Sequence, residues 1–203
     1  MTANFKLERK LPSVQISNSH GFTLIEMMVV ISIITILPAI VISNFPQIKS
    51  QFAVSRAAHR VAQSLREVQD LALSSVPYRG QFGIIKEVSG YGMYIDISGL
   101  GNTKYIIYAD NNDQGLSNKE YDETDYIVSE VDLASTESGV VIKQINKVYG
   151  NKVSINFNPP HPDTTITDLE EGEYSVDIVF AQADDLEKTK TVSINNVGLI
   201  EVK

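Results

Sequence analysis

The sequence predicts an α+β fold, a long amino-terminal helix packed on a small antiparallel β domain, and three observations carry that expectation. Phe22 to Ile42 is a run of 21 residues in which Glu26 is the only charged side chain. Beyond it Val54, Ala58, Val61, Leu65, Val68 and Ala72 recur at spacings of four and three, the signature of one apolar helical face. From Tyr78 onward, short runs of β-branched and aromatic residues alternate with turn residues, which is the texture of antiparallel sheet.

Met1 to His20 holds scattered Lys, Ser and Asn without periodicity. The apolar run that follows is long enough to cross a hydrocarbon core of ~30 Å at ~1.5 Å rise per residue. A secretory signal would end such a run at a small-residue A-x-A-like site, whereas the chain continues Ser43-Asn44-Phe45-Pro46. The helix extends through the amphipathic stripe, with Arg56, Arg60, Gln63 and Glu67 on its solvated side, and stops at Ser74-Ser75-Val76-Pro77. Pro38 and Pro46 each remove a backbone donor inside it, so the segment between them is the helix's weak point.

Expected strands are Gln81–Val88, Tyr91–Ile97, Lys104–Ala109, Tyr126–Val131, Val140–Ile145, Val153–Phe157, Tyr174–Ala181, Thr189–Ile194 and Leu199–Val202. Ser89-Gly90, Gly99-Leu100-Gly101-Asn102 and Gly150-Asn151 are read as the tight turns between them. The alternation Tyr174, Val176, Ile178, Phe180 marks a strand with one buried face.

Charge divides the chain. The first 21 residues carry Lys6, Arg9 and Lys10 against Glu8, and the remaining residues carry 14 basic against 24 acidic side chains. Basic residues before a first membrane helix stay cytoplasmic, which places the acidic remainder on the far side of the membrane. That remainder lacks the clustered basic surface that phosphate binding requires, so nucleic acid is not an expected partner. With no cysteine in the chain, disulfides and thiolate metal sites are excluded.

The stretch Gly21-Phe22-Thr23-Leu24-Ile25-Glu26, with basic residues upstream and an apolar run downstream, resembles the processing site of the type IV prepilin family. The resemblance implies a leader, 1–21, removed after Gly21 by a membrane prepilin peptidase that then methylates the new amino terminus at Phe22. It also gives Glu26 a partner. A carboxylate inside a bilayer costs roughly 2.5–3.5 kcal/mol, and in the family it pairs with the amino group of a neighbouring subunit, here that of Phe22. The expected organisation is then leader 1–21, transmembrane and assembly helix 22–42, amphipathic continuation 43–75 and β domain 76–203. Filaments of the family loosen the helix near a proline in this region, which implicates Pro38 and Pro46. Phe157-Asn158-Pro159-Pro160 and the closing strands resemble the β domain of minor pseudopilins of type II secretion and related minor pilins.

For catalysis the sequence offers little. His20, His59 and His161 have no triad-like neighbours, and no GxSxG, HExxH or GxxxxGK[ST] occurs, so no enzymatic activity is expected. The loop beginning Asp110-Asn111-Asn112-Asp113-Gln114-Gly115 is the one place with oxygen ligands at useful spacing. Asp110, Asn112, Gln114 and Glu120 suit calcium, and some relatives of the resembled family bind calcium in a β-domain loop, but the twelfth EF-hand position falls on Tyr121. Two readings stay open for it, a calcium site and a solvated acidic turn.

The expected function is a structural subunit of a type IV pilus or type II secretion-like pseudopilus. Its partners would be other pilin subunits, the peptidase, an inner-membrane assembly platform and, before assembly, the bilayer itself. It would begin in the bacterial plasma membrane with a cytoplasmic amino terminus and end in an extracytoplasmic filament. The competing readings are a monomeric membrane-anchored extracytoplasmic binding domain and an extracellular hydrolase.

Overall fold

The computed structural model describes residues 21–80, 83–111, 118–159 and 163–203. The chain forms two compact units, Met1–Phe45 and Pro46–Lys203. Helix α1 is Leu24–Leu73. In the first unit its residues Leu24–Ile42 are a 19-residue apolar segment of mean hydropathy 2.6, none of it buried. Inside that segment the hydroxyls of Ser32 and Thr35 donate back to the carbonyls of Met28 and Ile31 at 2.8 and 3.0 Å, so both are satisfied within the helix. Pro38 lies within α1 in this unit.

In the second unit α1 supplies one wall of the core. Val54, Ala58, Val61, Leu65, Val68 and Ala72 are all buried, as the periodicity predicts, together with Ala53, Ala57 and Ala62 beside them. The alanines keep that face narrow and allow close approach of the sheets. The helix closes with Ser75 in the left-handed region at φ 49°, its N–H donating to Ala72 and that of Val76 to Leu71, a Schellman-type end followed by Pro77.

Eleven strands follow among the described residues: β1 Tyr78–Arg79, β2 Ile85–Lys86, β3 Val88–Asp96, β4 Lys104–Asn111, β5 Tyr126–Asp132, β6 Val140–Asn146, β7 Lys152–Asn158, β8 Asp163–Ile166, β9 Ser175–Gln182, β10 Asp185–Asn195 and β11 Ile200–Val202. They form an antiparallel five-stranded sheet β5-β4-β3-β7-β8, a four-stranded sheet β11-β10-β9-β6 and the small β1-β2 hairpin. One face of each sheet joins the helix in a single core. Tyr91, Met93, Ile95, Tyr105, Ile107, Val153, Ile155 and Phe157 come from the first sheet, and Val140, Ile142, Val176, Ile178, Phe180, Val192 and Ile194 from the second.

Several expectations are corrected. Ser89-Gly90 is not a turn; it lies inside β3, where the register with β4 shifts between Val88 and Gly90. In place of a strand over Gln81–Val88 there is the two-residue pairing of β1 with β2, and Gln81 lies outside the described residues. Tyr174 precedes β9 and is exposed, so the buried alternation begins at Val176. Strand β8 and a short helix α2, Leu133–Thr136, were not expected. α2 starts because the Asp132 carboxylate accepts from the N–H of Ala134, an N-cap at the end of β5.

Candidate functional site

Gly21 and Phe22 precede α1 and are exposed, Phe22 with 78% of its surface accessible. Thr23 stands at the helix start: its carbonyl accepts from the N–H of Met27 and its hydroxyl oxygen from the N–H of Glu26, each at 3.2 Å. Thr23-Leu24-Ile25-Glu26 therefore has the T-x-x-E spacing of a capping box, a signal legible in the sequence that its apolar reading overlooked. Glu26 lies in the first helical turn, where the helix dipole favours an anion. Locally this makes Glu26 a good helix starter, and in hydrocarbon it is the lone charge of the segment.

A second concentration of polar chemistry lies on the face of the five-stranded sheet turned away from the core. Tyr108 on β4 and Ser154 on β7 are fully or almost fully buried, with the two hydroxyls 2.6 Å apart. The Asn156 side-chain amide donates to the Tyr108 hydroxyl at 3.2 Å and to the Asp110 carboxylate at 3.3 Å. Gly92 on β3 makes room for this: a Cβ there would overlap the Tyr108 ring. Burial pushes the Tyr108 hydroxyl's pKa up, so it stays protonated and serves only as a hydrogen-bonding group. Tyr94, on the same face, is pushed up to about 12, first by burial and then by Asp96.

The described part of the connection between β4 and β5, residues 118–125, packs on this face. Tyr121 stacks on Tyr94 with centroids 4.7 Å apart, meets Tyr108 edge-on at 5.3 Å, and donates its backbone N–H to the Ser154 hydroxyl at 3.2 Å. Asp125 binds the two ends of the connection, accepting from the N–H of Asn111 at 2.8 Å and that of Asp122 at 2.9 Å. Its pKa is raised to about 6, mainly by burial against the pull of those two bonds, with Asp110 and Asp122 adding repulsion. The pKa of Asp122 is lowered by bonds from the Thr124 hydroxyl and N–H.

Of the four calcium candidates, Asp110 is buried against Asn156 and Glu120 is partly exposed, 3.9 Å from the Lys152 ammonium. Asn112 and Gln114 lie outside the described residues, as do His20 and His161. Among the described residues no group of three or more His, Cys, Asp or Glu gathers as a metal site. His59 is exposed on α1, in a shallow groove with Phe52, Arg56 and Arg60. Among the described residues Tyr108, Ser154, Asn156 and Asp110 bond to one another and, through the Tyr121 N–H, to the connection above them, an arrangement that clasps loop to sheet.

One ion pair fixes α2 to α1. The Arg56 guanidinium donates through Nε and Nη2 to the two Glu137 oxygens, both at 2.8 Å, and holds that carboxyl's pKa below its usual value.

Residues 16–42 match the family model described as the prokaryotic N-terminal methylation motif. No curated protein matches the chain. Among solved structures the chain is similar to the type IV minor pilin FimU of Pseudomonas aeruginosa in two crystal forms, at 10% identity in each. One comparison covers 73% of this chain and 91% of FimU with a TM-score of 0.42, the other 74% and 87% with 0.44.

Proposed function

We propose, from an amino-terminal segment of the type IV pilin-like kind, that this chain is a structural subunit of a type IV pilus or a type II secretion-like pseudopilus. In this reading a prepilin peptidase cuts after Gly21 and methylates Phe22, and the mature chain polymerises through its amino-terminal helix. The observation that carries the reading is the pairing of that methylation motif with a fully exposed 19-residue apolar helix in which Glu26 is the only charge.

An exposed apolar surface of that extent requires lipid or other helices around it. Lipid satisfies its aliphatic part before assembly. In a bundle of such helices the protonated amine of Phe22 on one copy meets Glu26 of the next, and a low-dielectric setting strengthens that pair far beyond its worth in water. Each added copy then has one axial register in which no charge is left alone. Pro38 and Pro46 supply the points at which the helix can loosen to fit the filament. The basic residues Lys6, Arg9 and Lys10 hold the leader on the cytoplasmic side, where the chain would be anchored in the inner membrane until assembly draws it outward.

The intact mass of the protein isolated from its host tests the processing step. Loss of Met1–Gly21 with gain of one methyl group is the expected result. A chain that retains its first 21 residues, or that begins at Phe22 without the methyl group, refutes the processing proposed.

A further inference from the structure

The charge of the second unit is unevenly distributed. Residues 46–73 carry Lys49, Arg56, Arg60 and Arg66 against Glu67 and Asp70, all four basic residues preceding both acids; Arg56 is paired with Glu137, which lines the same groove, and Arg60 is left as its outward charge. Residues 74–203 hold 10 basic and 21 acidic side chains. The basic part of the helix also exposes an aromatic ring, Phe52, 60% accessible beside His59 and Arg60.

The acidic counterpart lies toward the place where the helix ends. Gln69 and Arg66 donate to the carbonyls of Gly198 and Ile200, which fixes the β10–β11 turn against the last turns of α1. The Asn196 N–H donates to the Tyr174 carbonyl, the Glu173 N–H to the Glu170 carbonyl, and the Glu171 N–H to the Tyr149 hydroxyl. This network presents exposed Glu170 and Glu171 between two exposed rings, Tyr149 and Tyr174, 62% and 68% accessible. Among the described residues Arg60, Glu170 and Glu171 take part in no ion pair.

The geometry points to a head-to-tail contact between copies of this chain, in which the basic face around Phe52, His59 and Arg60 docks on the acidic, aromatic surface of Glu170, Glu171, Tyr149 and Tyr174 of the next. The inference rests on the filament reading and adds to it a specific contact between the β-bearing units. Opposite charges fix the pairing, and exposed rings on both sides give the guanidinium an apolar and cation–π surface to lie on. Because the two patches differ, each copy offers one and uses the other. A heterologous contact of this kind propagates as an open helix instead of closing into a dimer. It would also set the spacing of the second units independently of the charge pairing at Glu26.

The test uses the full chain in its host, with filaments sheared from the cells and the chain quantified in the sheared fraction. Arg60→Glu and Glu171→Lys are each expected to lower recovery about tenfold, and the combined Arg60→Glu/Glu171→Lys chain to restore it toward wild type. Unchanged thermal melting of each variant separates this from misfolding. A bismaleimide added to filaments of an Arg60→Cys/Glu171→Cys chain should yield a ladder of linked copies, since the sequence supplies no other cysteine. Wild-type recovery of the single charge variants, failure of the swap to restore, or filaments without a ladder overturns the contact while leaving the filament reading intact. Absence of the wild-type chain from the sheared fraction overturns both.

Discussion

Replacing Tyr108 by Phe deletes one oxygen from the enclosed clasp and leaves the ring, with its contacts to Gly92 and Tyr121, in place. The lost oxygen bonds Ser154 at 2.6 Å and accepts from Asn156 at 3.2 Å. Neither partner is wholly orphaned, because Ser154 still accepts from the Tyr121 N–H and Asn156 still donates to Asp110. The cost is therefore that of one short bond lost and one donor underused, about 1–2 kcal/mol, at the lower end for a buried polar group deprived of its partner. The assay is urea unfolding of Pro46–Lys203, a compact unit with its own core. At an m-value of about 2 kcal/mol/M the midpoint should fall by roughly 0.5–1 M with the slope unchanged. Ser154→Ala in the same background should couple to Tyr108→Phe by at least ~0.5 kcal/mol in a double-mutant cycle. A midpoint within ~0.1 M of wild type, or strict additivity, would mean that the ring packing alone holds the loop down and that the hydrogen bonds contribute nothing.

Changing Glu26 to Val keeps the backbone bond to Thr23 and lengthens the apolar run, so insertion and cleavage should persist; loss of one side of a desolvated pair, ~3–5 kcal/mol, should suppress filament entry, and wild-type abundance in sheared filaments would show that helix packing alone drives assembly. Asp125 binds its proton more tightly in the fold than at its ordinary pKa of 3.8, so its contribution to stability is greatest below that value and is lost as pH rises through about 6. After discounting for its half-exposed position this amounts to about 1 kcal/mol. Asp122 and Glu137, with lowered values, contribute in the opposite sense, so the measurement is the difference between wild type and Asp125→Asn, whose stability should decline less from pH 4 to 6.5 in paired urea titrations; parallel curves would remove Asp125 as the cause. If the β4–β5 loop holds calcium through Asp110 and Glu120, excess calcium should raise the melting temperature and Asp110→Asn should abolish the rise; an unchanged melting temperature would leave the loop as a solvated acidic turn.

The helix and the sheet core were legible because burial leaves a period. Val54 through Ala72 repeat with the turn of a helix, and Val176, Ile178 and Phe180 repeat with the pleat of a strand. What the sequence concealed lacks such a period. Gly90 looks like a turn residue, and only the closeness of β7 shows why a glycine is needed: a Cβ there would meet the Phe157 carbonyl and the side chains of Asn156 and Asn158. The polar clasp was equally invisible, since Tyr108, Asp110, Ser154 and Asn156 occupy alternate positions that ordinarily face water. A strand's outer face reads as solvated unless another segment returns to cover it. The covering connection has an acidic sequence that suggests either a metal or a solvent face.

The contrast between Glu26 and that clasp shows which sites a single chain can disclose. The clasp is complete within one molecule, yet its partners lie tens of residues apart, so no local pattern announces it. Glu26 is conspicuous for the opposite reason: an apolar segment makes an isolated charge costly, and the segment around it offers no cation to offset that cost. The Thr23 hydroxyl accepts from the Glu26 backbone N–H, a bond that Gln or Val at this position would supply equally. That bond asks nothing of the side chain, and the first-turn dipole favours an anion by at most ~1 kcal/mol, less than the roughly 2.5–3.5 kcal/mol that a carboxylate costs in a bilayer. The charge calls for a cation from outside the segment, and in the proposed filament the Phe22 amine exists only after cleavage. On this argument Glu26→Gln is the sharper variant: it should preserve the helix start and processing, yet enter filaments as poorly as Glu26→Val. Recovery of Glu26→Gln at wild-type abundance would show that assembly does not need the charge.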